Sequence, residues 1–344
     1  MYRGVSQQIT VSIIGATGYS GTELLRILVR HPRVALGALI AGNSAGRKIC
    51  EVVPALWGRL DTMVQTYSPD AVAESDLAFI ALPSGEAMRI VPELLERGVR
   101  VIDLGGDFRL AEAGSYREYY GREHTAPELL PAVYGLPELH RDSVRGKQLV
   151  ANPGCYPTSA ILPLAPLLGA GVVERDGIVI CSMSGVSGAG RTASQDFSFC
   201  EVNESVRAYR VGRHQHIPEI AAALAASAGG SVAMSFTPHL VPITRGIHTT
   251  ISARLSNGVG AAEIENVLRE SYGSEPFVRL TGSVPPEVKN VAGTNRADIG
   301  WHADEAARQL TLLCVIDNLV KGAAGQAVQN MNILFDYEES EGLL

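Results

Sequence analysis

Residues 9–28 read ITVSIIGATGYSGTELLRIL, an apolar β-branched run that passes straight into three spaced glycines and then a leucine-rich helical pattern. Few architectures accommodate this stretch. Glycines at 15, 18 and 21 permit a tight turn and close backbone approach, and a helix starting there opens with N–H groups that have no intrahelical partner. Those N–H groups and the positive end of the helix favour an anion, which is how a strand–glycine turn–helix unit seats a dinucleotide pyrophosphate. The spacing is Gly-x-x-Gly-x-x-Gly, not the commoner Gly-x-Gly-x-x-Gly. The flanking strand and helix therefore carry the reading. The candidate cofactor contacts of this turn are Gly15, Ala16, Thr17, Gly18, Tyr19, Ser20 and Gly21.

The surrounding sequence repeats the same alternation. Strands are expected at 9–14, 36–40, 77–82, 99–104 and 149–151, with helices over 23–30 and 87–97 between them, which implies a parallel sheet covered on both faces. Beyond about residue 153 the apolar runs at 178–183, 232–236, 249–255 and 310–316 are longer and β-branched. They imply a mixed or antiparallel sheet, with helices near 158–168, 217–226 and 261–271. A final helical pattern over 318–334 follows a strand directly and is expected to return to the first domain. The expected division is 1–153 with 318–344 as a Rossmann-like nucleotide-binding domain, and 154–317 as an α/β (α+β) catalytic and oligomerisation domain.

The end of the second strand bears on cofactor choice. An Asp or Glu there holds the ribose 2′-hydroxyl of NAD. Here the strand runs into Ala41-Gly42-Asn43-Ser44-Ala45-Gly46-Arg47-Lys48, which contains no acid. Ser44, Arg47 and Lys48 suit a 2′-phosphate, so NADP (as NADPH) is the expected cofactor. Pro83, Ser84 and Gly85 close a further strand where a cofactor lies in such sheets; Ser84 reads equally as a helix N-cap.

Among five cysteines, with no Cys-x-x-Cys, Cys155 stands apart in Asn-Pro-Gly-Cys-Tyr-Pro-Thr. Pro157 favours the first turn of a helix, so Cys155 is expected at or just before a helix N-terminus, where thiolate is favoured over thiol. The other four are expected to be structural. A histidine is needed as acid–base partner. In His214-Gln-His216-Ile-Pro218-Glu219, His216 lies at a helix start and is the candidate. His214-x-His216 without further ligands makes a poor metal pair, and no metal is expected. His31, His124, His140 and His302 lie in polar stretches and are expected at the surface.

Lys+Arg is 29 against Asp+Glu 36, a net charge of −7. This gives no general attraction to nucleic acid or anionic membrane. No apolar run is long enough for a membrane span, and the N-terminus lacks a signal-peptide pattern, so a cytoplasmic protein is expected.

Taken in order, the segments GATGYSGTELLR (15–26), DLGGDFRL (103–110), NPGCYPTSA (152–160), SGVSGAGR (184–191), HQHIPEI (214–220), PHLVPITRGIHTTI (238–251) and NLVKGAAGQAVQNMN (318–332) resemble the N-acetyl-γ-glutamyl-phosphate reductases of arginine biosynthesis. That family stands with the semialdehyde dehydrogenase and glyceraldehyde-phosphate dehydrogenase type of fold. The resemblance implies Cys155 as nucleophile, His216 as acid–base residue, NADPH as hydride donor and a small acyl phosphate as substrate. Its anionic groups would meet Arg109, chosen by analogy with related aldehyde dehydrogenases, with Arg191 and Arg245 as second choices. The loop 185–190, with Ser187 and Gly188, would face the nicotinamide, and Asn318 its carboxamide. Alternatives sharing these motifs are a reductase of carrier-bound aminoadipyl phosphate in lysine biosynthesis and a non-catalytic NADP-binding regulator. Aspartate-semialdehyde dehydrogenase is disfavoured by Gly-Cys-Tyr-Pro, and a thiol hydrolase by the glycine turn. A homo-oligomer, dimer or tetramer, is expected on general grounds.

Overall fold

The computed structural model describes residues 8–344. The chain divides into two compact units, one running to Pro153 and including Ala323–Leu344, the other Gly154–Gly322.

In the first unit, β1 (Ile9–Ile14), β2 (Val34–Ile40), β3 (Val64–Gln65), β4 (Leu77–Ile80), β5 (Arg100–Asp103), β6 (Val133–Tyr134) and β7 (Leu149–Ala151) form a sheet in the order β3-β2-β1-β4-β5-β7-β6. Every pairing is parallel. Alternation along β1 separates two cores. Ile9, Val11 and Ile13 face a cluster with Leu24, Leu25 and Leu28 of α1 (Tyr19–Leu28) and Val328, Met331 and Leu334 of the C-terminal helix Gly325–Leu334. Ile14 faces the other side, with Met88, Val91 and Leu94 of α2 (Ala87–Glu96). Each of the α1 leucines is at most 1% exposed, worth about 1.5–3 kcal/mol apiece as an upper estimate. Two short helices, α3 (Ala113–Tyr120) and α4 (Pro137–Val144), complete this unit's longer helical elements.

The second unit carries β8 (Ile178–Ser184), β9 (Arg207–Ala208), β10 (Met234–Leu240), β11 (Ile247–Arg254), β12 (Val278–Gly282), β13 (Ala297–Asp304) and β14 (Gln309–Ile316), ordered β12-β13-β14-β11-β8-β10-β9. Its centre is antiparallel, while β8–β10 and β12–β13 are parallel. The apolar helix α5 (Cys155–Gly169) packs on β11 and β14, and α6 (Ile217–Ala228) and α7 (Ala261–Tyr272) pack on α5. Pro166 inside α5 cannot donate to the Leu162 carbonyl. The Tyr272 hydroxyl of α7 donates to it instead, at 2.6 Å.

Some expectations are corrected. The helix expected from 318 begins at Val320, as a wide π turn over Val320–Ala324, before the regular helix. Of the histidines expected at the surface, His302 is exposed and His140 half-buried, but His31 and His124 are buried. Each satisfies both ring nitrogens locally, which removes the cost of burial. His31 meets Asn332 Oδ1 and the Arg33 N–H, and His124 meets the Asp107 carbonyl and the Ala126 N–H. Of the cysteines expected to be structural, Cys50 and Cys314 are buried but Cys200 is exposed. No helix among the described residues is long and apolar enough to cross a membrane.

Candidate active site

The first unit presents the glycine turn at the carboxyl end of β1, where the strand order reverses between β2 and β4. Gly15 has φ +93°, and a Cβ there would collide with the Ala81 carbonyl; a Cβ on Gly21 would collide with Gly15 and Ala16. These two glycines are required by the turn's own packing. A Cβ on Gly18 would approach only Gly15 O, at 3.4 Å. Gly18 is the N-cap of α1, no side chain caps that helix, and its first turn carries no acid. An uncapped helix start behind a close-approach glycine fits a pyrophosphate.

By contrast, the start of α2 is already capped. Asp107 accepts the Gly85 N–H at 2.7 Å through Oδ1 and the Met88 N–H at 3.2 Å through Oδ2. Glu86, not Ser84, is the N-cap residue of α2. The Ser84 carbonyl accepts from Arg122 at 3.0 Å, and Pro83 is exposed. At the end of β2, Ser44 closes a 3-10 turn and Arg47 is exposed, whereas Lys48 pairs with Asp61 at 2.7 Å. Arg109 donates through Nε to the Asn152 carbonyl at 2.8 Å and through Nη2 to the Leu104 carbonyl at 2.7 Å, tying together the carboxyl ends of β5 and β7.

The second unit holds Cys155 as the first residue of α5, behind the N-cap Gly154. The sulfur thus starts from the positive end of a fifteen-residue helix, with no acid in the first turn and no side-chain cap. The Gly154 N–H donates to Glu219 Oε1 at 2.8 Å, and Glu219 is 2% exposed. Since Glu219 lies in the first turn of α6 and His216 is that helix's N-cap, one helix start carries His216 and anchors the turn that precedes Cys155. Tyr156 stacks edge-on against both His214 and His216, at 5.6 and 5.9 Å between ring centroids. Its hydroxyl meets that of Tyr209 at 2.9 Å. Burial pushes the Tyr209 hydroxyl up to about 12, and the Cys155 charge adds to the rise. Both tyrosines therefore act as neutral hydroxyls within electrostatic reach of Cys155.

Beside Cys155 lies the π turn. A Cβ on Gly322 would stand 2.7 Å from Cys155 Cβ, so the bare backbone of Gly322 is what allows the cysteine its place. The Gly322 N–H donates to the Asp317 carbonyl at 2.9 Å. The buried Asp317 carboxylate accepts the Gly293 and Leu319 N–H groups and pairs with Arg245 Nε at 2.9 Å. Asn318 accepts the Gly246 N–H at 2.6 Å and donates to Ser187 Oγ at 3.0 Å. Gly185 packs against the Arg245 backbone, Gly188 is exposed, and Arg191 lies on the exposed stretch beyond Gly190.

Thus Cys155, His216, Ser187, Asn318 and Arg245 fall in one unit, while Arg109 and the glycine turn fall in the other. The sequence reading missed Asp107, Tyr209, Glu219, Asp317 and Gly322. Glu219 was legible in principle, being one helical turn from His216; Asp107, Tyr209, Asp317 and Gly322 act through contacts distant along the chain.

Comparison with known proteins identifies the family. Residues 10–147 match the semialdehyde dehydrogenase NAD-binding domain and 155–318 the semialdehyde dehydrogenase dimerisation domain. An N-acetyl-gamma-glutamyl-phosphate reductase from Pelotomaculum thermopropionicum is 51% identical over 338 residues, covering 97% of each chain. The one from Symbiobacterium thermophilum is 48% identical over 342 residues, covering 98% of this chain and 97% of its own. Among solved structures, aspartate semialdehyde dehydrogenase II from Vibrio cholerae shares the fold with a TM-score of 0.74 at 20% identity, covering 95% of this chain and 98% of its own. The chain belongs to the N-acetyl-γ-glutamyl-phosphate reductase family of semialdehyde dehydrogenases.

Proposed function

We propose that this protein reduces N-acetyl-γ-glutamyl phosphate to N-acetylglutamate 5-semialdehyde and phosphate, with NADPH, through a thioacyl intermediate on Cys155. The observation that carries the reading is the placement of Cys155 at the start of α5, anchored through Glu219 to the helix that begins at His216. The Cys155 thiolate attacks the acyl carbon; the S–C bond forms, the C–O bond to phosphate breaks, and phosphate leaves. Bound NADPH supplies hydride to the thioester carbon. The resulting oxyanion re-forms its carbonyl as the C–S bond breaks, releasing aldehyde and thiolate. His216 takes the thiol proton and stabilises the oxyanion. The covalent step divides one difficult reduction into two easier ones.

The cofactor contacts proposed are Gly15–Gly21 for the pyrophosphate, Ser44 and Arg47 for the 2′-phosphate, the loop 83–85, and Ser187, Gly188 and Asn318 for the nicotinamide side. Asn318 retains one amide hydrogen and one oxygen lone pair beyond the bonds named above. For the substrate's phosphate and carboxylate we propose Arg109, Arg191 and Arg245, the last oriented by Asp317.

Phosphate-dependent reduction of NADP⁺ with N-acetylglutamate semialdehyde, and in parallel with aspartate semialdehyde, tests the reading. Turnover with the first alone is expected; turnover with only the second, or with neither, overturns it. In the same assay Arg47→Ala is expected to raise the KM for NADP⁺ about tenfold, the value of one charge-assisted bond, and to leave NAD⁺ use unchanged. An unchanged KM removes Arg47 from the site.

We further propose that the protein is a cytoplasmic homo-oligomer. All five cysteines are free, which suits a reducing compartment. The face of β8 away from α5 exposes Val179 and Met183, 43% and 45% exposed, on an interior strand of the second sheet, which suits a second copy of that sheet. Light scattering at the monomer mass of 36.5 kDa, or recovery outside the cytoplasm on fractionation, would refute the respective statements.

A further inference from the structure

We propose that His214 is a positioning residue for His216, holding it by accepting the His216 backbone N–H and so fixing the start of α6. His214 Nδ1 lies 3.1 Å from that nitrogen. The His214 carbonyl also accepts the Ile217 N–H at 2.9 Å, so the residue grips the first turn at two points. Its ring is 4% exposed and is wedged edge-on among Tyr156, Tyr209, Phe236 and His216, with centroids 5.6, 5.6, 5.5 and 4.8 Å away. It therefore has little freedom to turn. For Nδ1 to accept, it must carry a lone pair, and the single proton of the neutral ring must sit on Nε2.

The surroundings keep the ring neutral. Burial first, and the Arg210 charge second, drive its pKa down to about 4. The groups facing it are Arg210 on its own segment, Tyr156 from α5, Tyr209 beside β9, and His216. Protonation would place a second N–H against the His216 N–H and release the helix start. The two imidazoles of the His-x-His pair thus differ in role: one is a fixed acceptor, the other carries the chemistry.

The inference rests on His216 as the acid–base residue, so a His216→Asn control is run alongside. His214→Phe keeps the ring's bulk and removes the acceptor; His214→Asn keeps an acceptor near the Nδ1 position. All are assayed in the full-length protein for kcat, for KM of NADP⁺, for the pH profile of kcat, and for melting temperature. The Phe variant is expected to lose about 10- to 100-fold in kcat, as misplacement of a reacting group by an ångström does. Its pH profile should shift while its KM for NADP⁺ stays unchanged. The Asn variant should retain kcat and profile within about threefold, the margin below one lost hydrogen bond. Should the Phe variant not fold, His214→Ala takes its place and is read in the same way. A variant lacking the acceptor that has wild-type kcat and pH profile overturns the inference, as does an equal loss in the Asn variant. An active His216→Asn control would instead remove the reading of His216 on which it rests.

Discussion

Cys155→Ser is expected to lose reductase turnover by on the order of 10⁴-fold or more, about 5.5 kcal/mol of transition-state stabilisation. The physical reason is the limited strength of a helix terminus. It contributes up to about 2 kcal/mol to an anion, enough to tip an ordinary thiol toward thiolate near neutrality and far too little for an alcohol. The change is nearly isosteric, and the bare backbone of Gly322, which leaves room for Cys155 Cβ, leaves the same room for serine. The glycine turn lies in the other unit, so NADPH affinity should match wild type by calorimetric titration. Steady-state rates near wild type would remove Cys155 from the mechanism. Loss of NADPH binding together with activity would mean that the variant had lost its fold.

A comparable loss, about 10²- to 10⁴-fold in kcat, is expected for His216→Asn, the range that a positioned acid–base group contributes. Here stability and chemistry can be separated in advance. His216 occupies the N-cap of α6 and its side chain makes no capping bond there. The backbone at 216 is helical, with φ −85° and ψ −9°, so asparagine gains no capping bond; loss of the buried ring should lower the melting temperature modestly while turnover collapses. Turnover near wild type in a folded variant would show that the proton of Cys155 is managed elsewhere in the site. Tyr209 is the neighbour to examine, since it is close enough to respond to the cysteine's charge.

Much of the first unit was legible because a parallel sheet buried on both faces needs largely apolar strands, and β1, β2 and β4 are such strands, while β5 keeps Val101 and Ile102 between its polar ends. The strands missed were those whose residues do not advertise burial. β13 reads Ala-Asp-Ile-Gly-Trp-His-Ala-Asp, and Asp298 within it is fully buried. It is tolerated because its parallel register partner on β12 is Arg279, whose guanidinium pairs with the carboxylate. β6, β3 and β9 have two residues each, too short for any period. His31 and His124 misled for a related reason. Polar neighbours in sequence were taken as a sign of solvent, whereas burial is permitted by backbone N–H groups two residues on and by Asn332 and the Asp107 carbonyl from elsewhere in the chain.

By itself the sequence determined what depends on local geometry: the strand–glycine turn–helix at residue 9 onward, the cysteine at the head of a helix, and the histidine at the head of another. Each follows from glycine freedom, proline placement or helix-end electrostatics within a dozen residues. Tertiary structure alone decided how those ends are held. Glu219 reaches 65 positions back to Gly154, Asp107 closes the start of α2 from a different loop, and Gly322 leaves room for Cys155. Such contacts join residues far apart in the chain, and one sequence carries no period or propensity that records them.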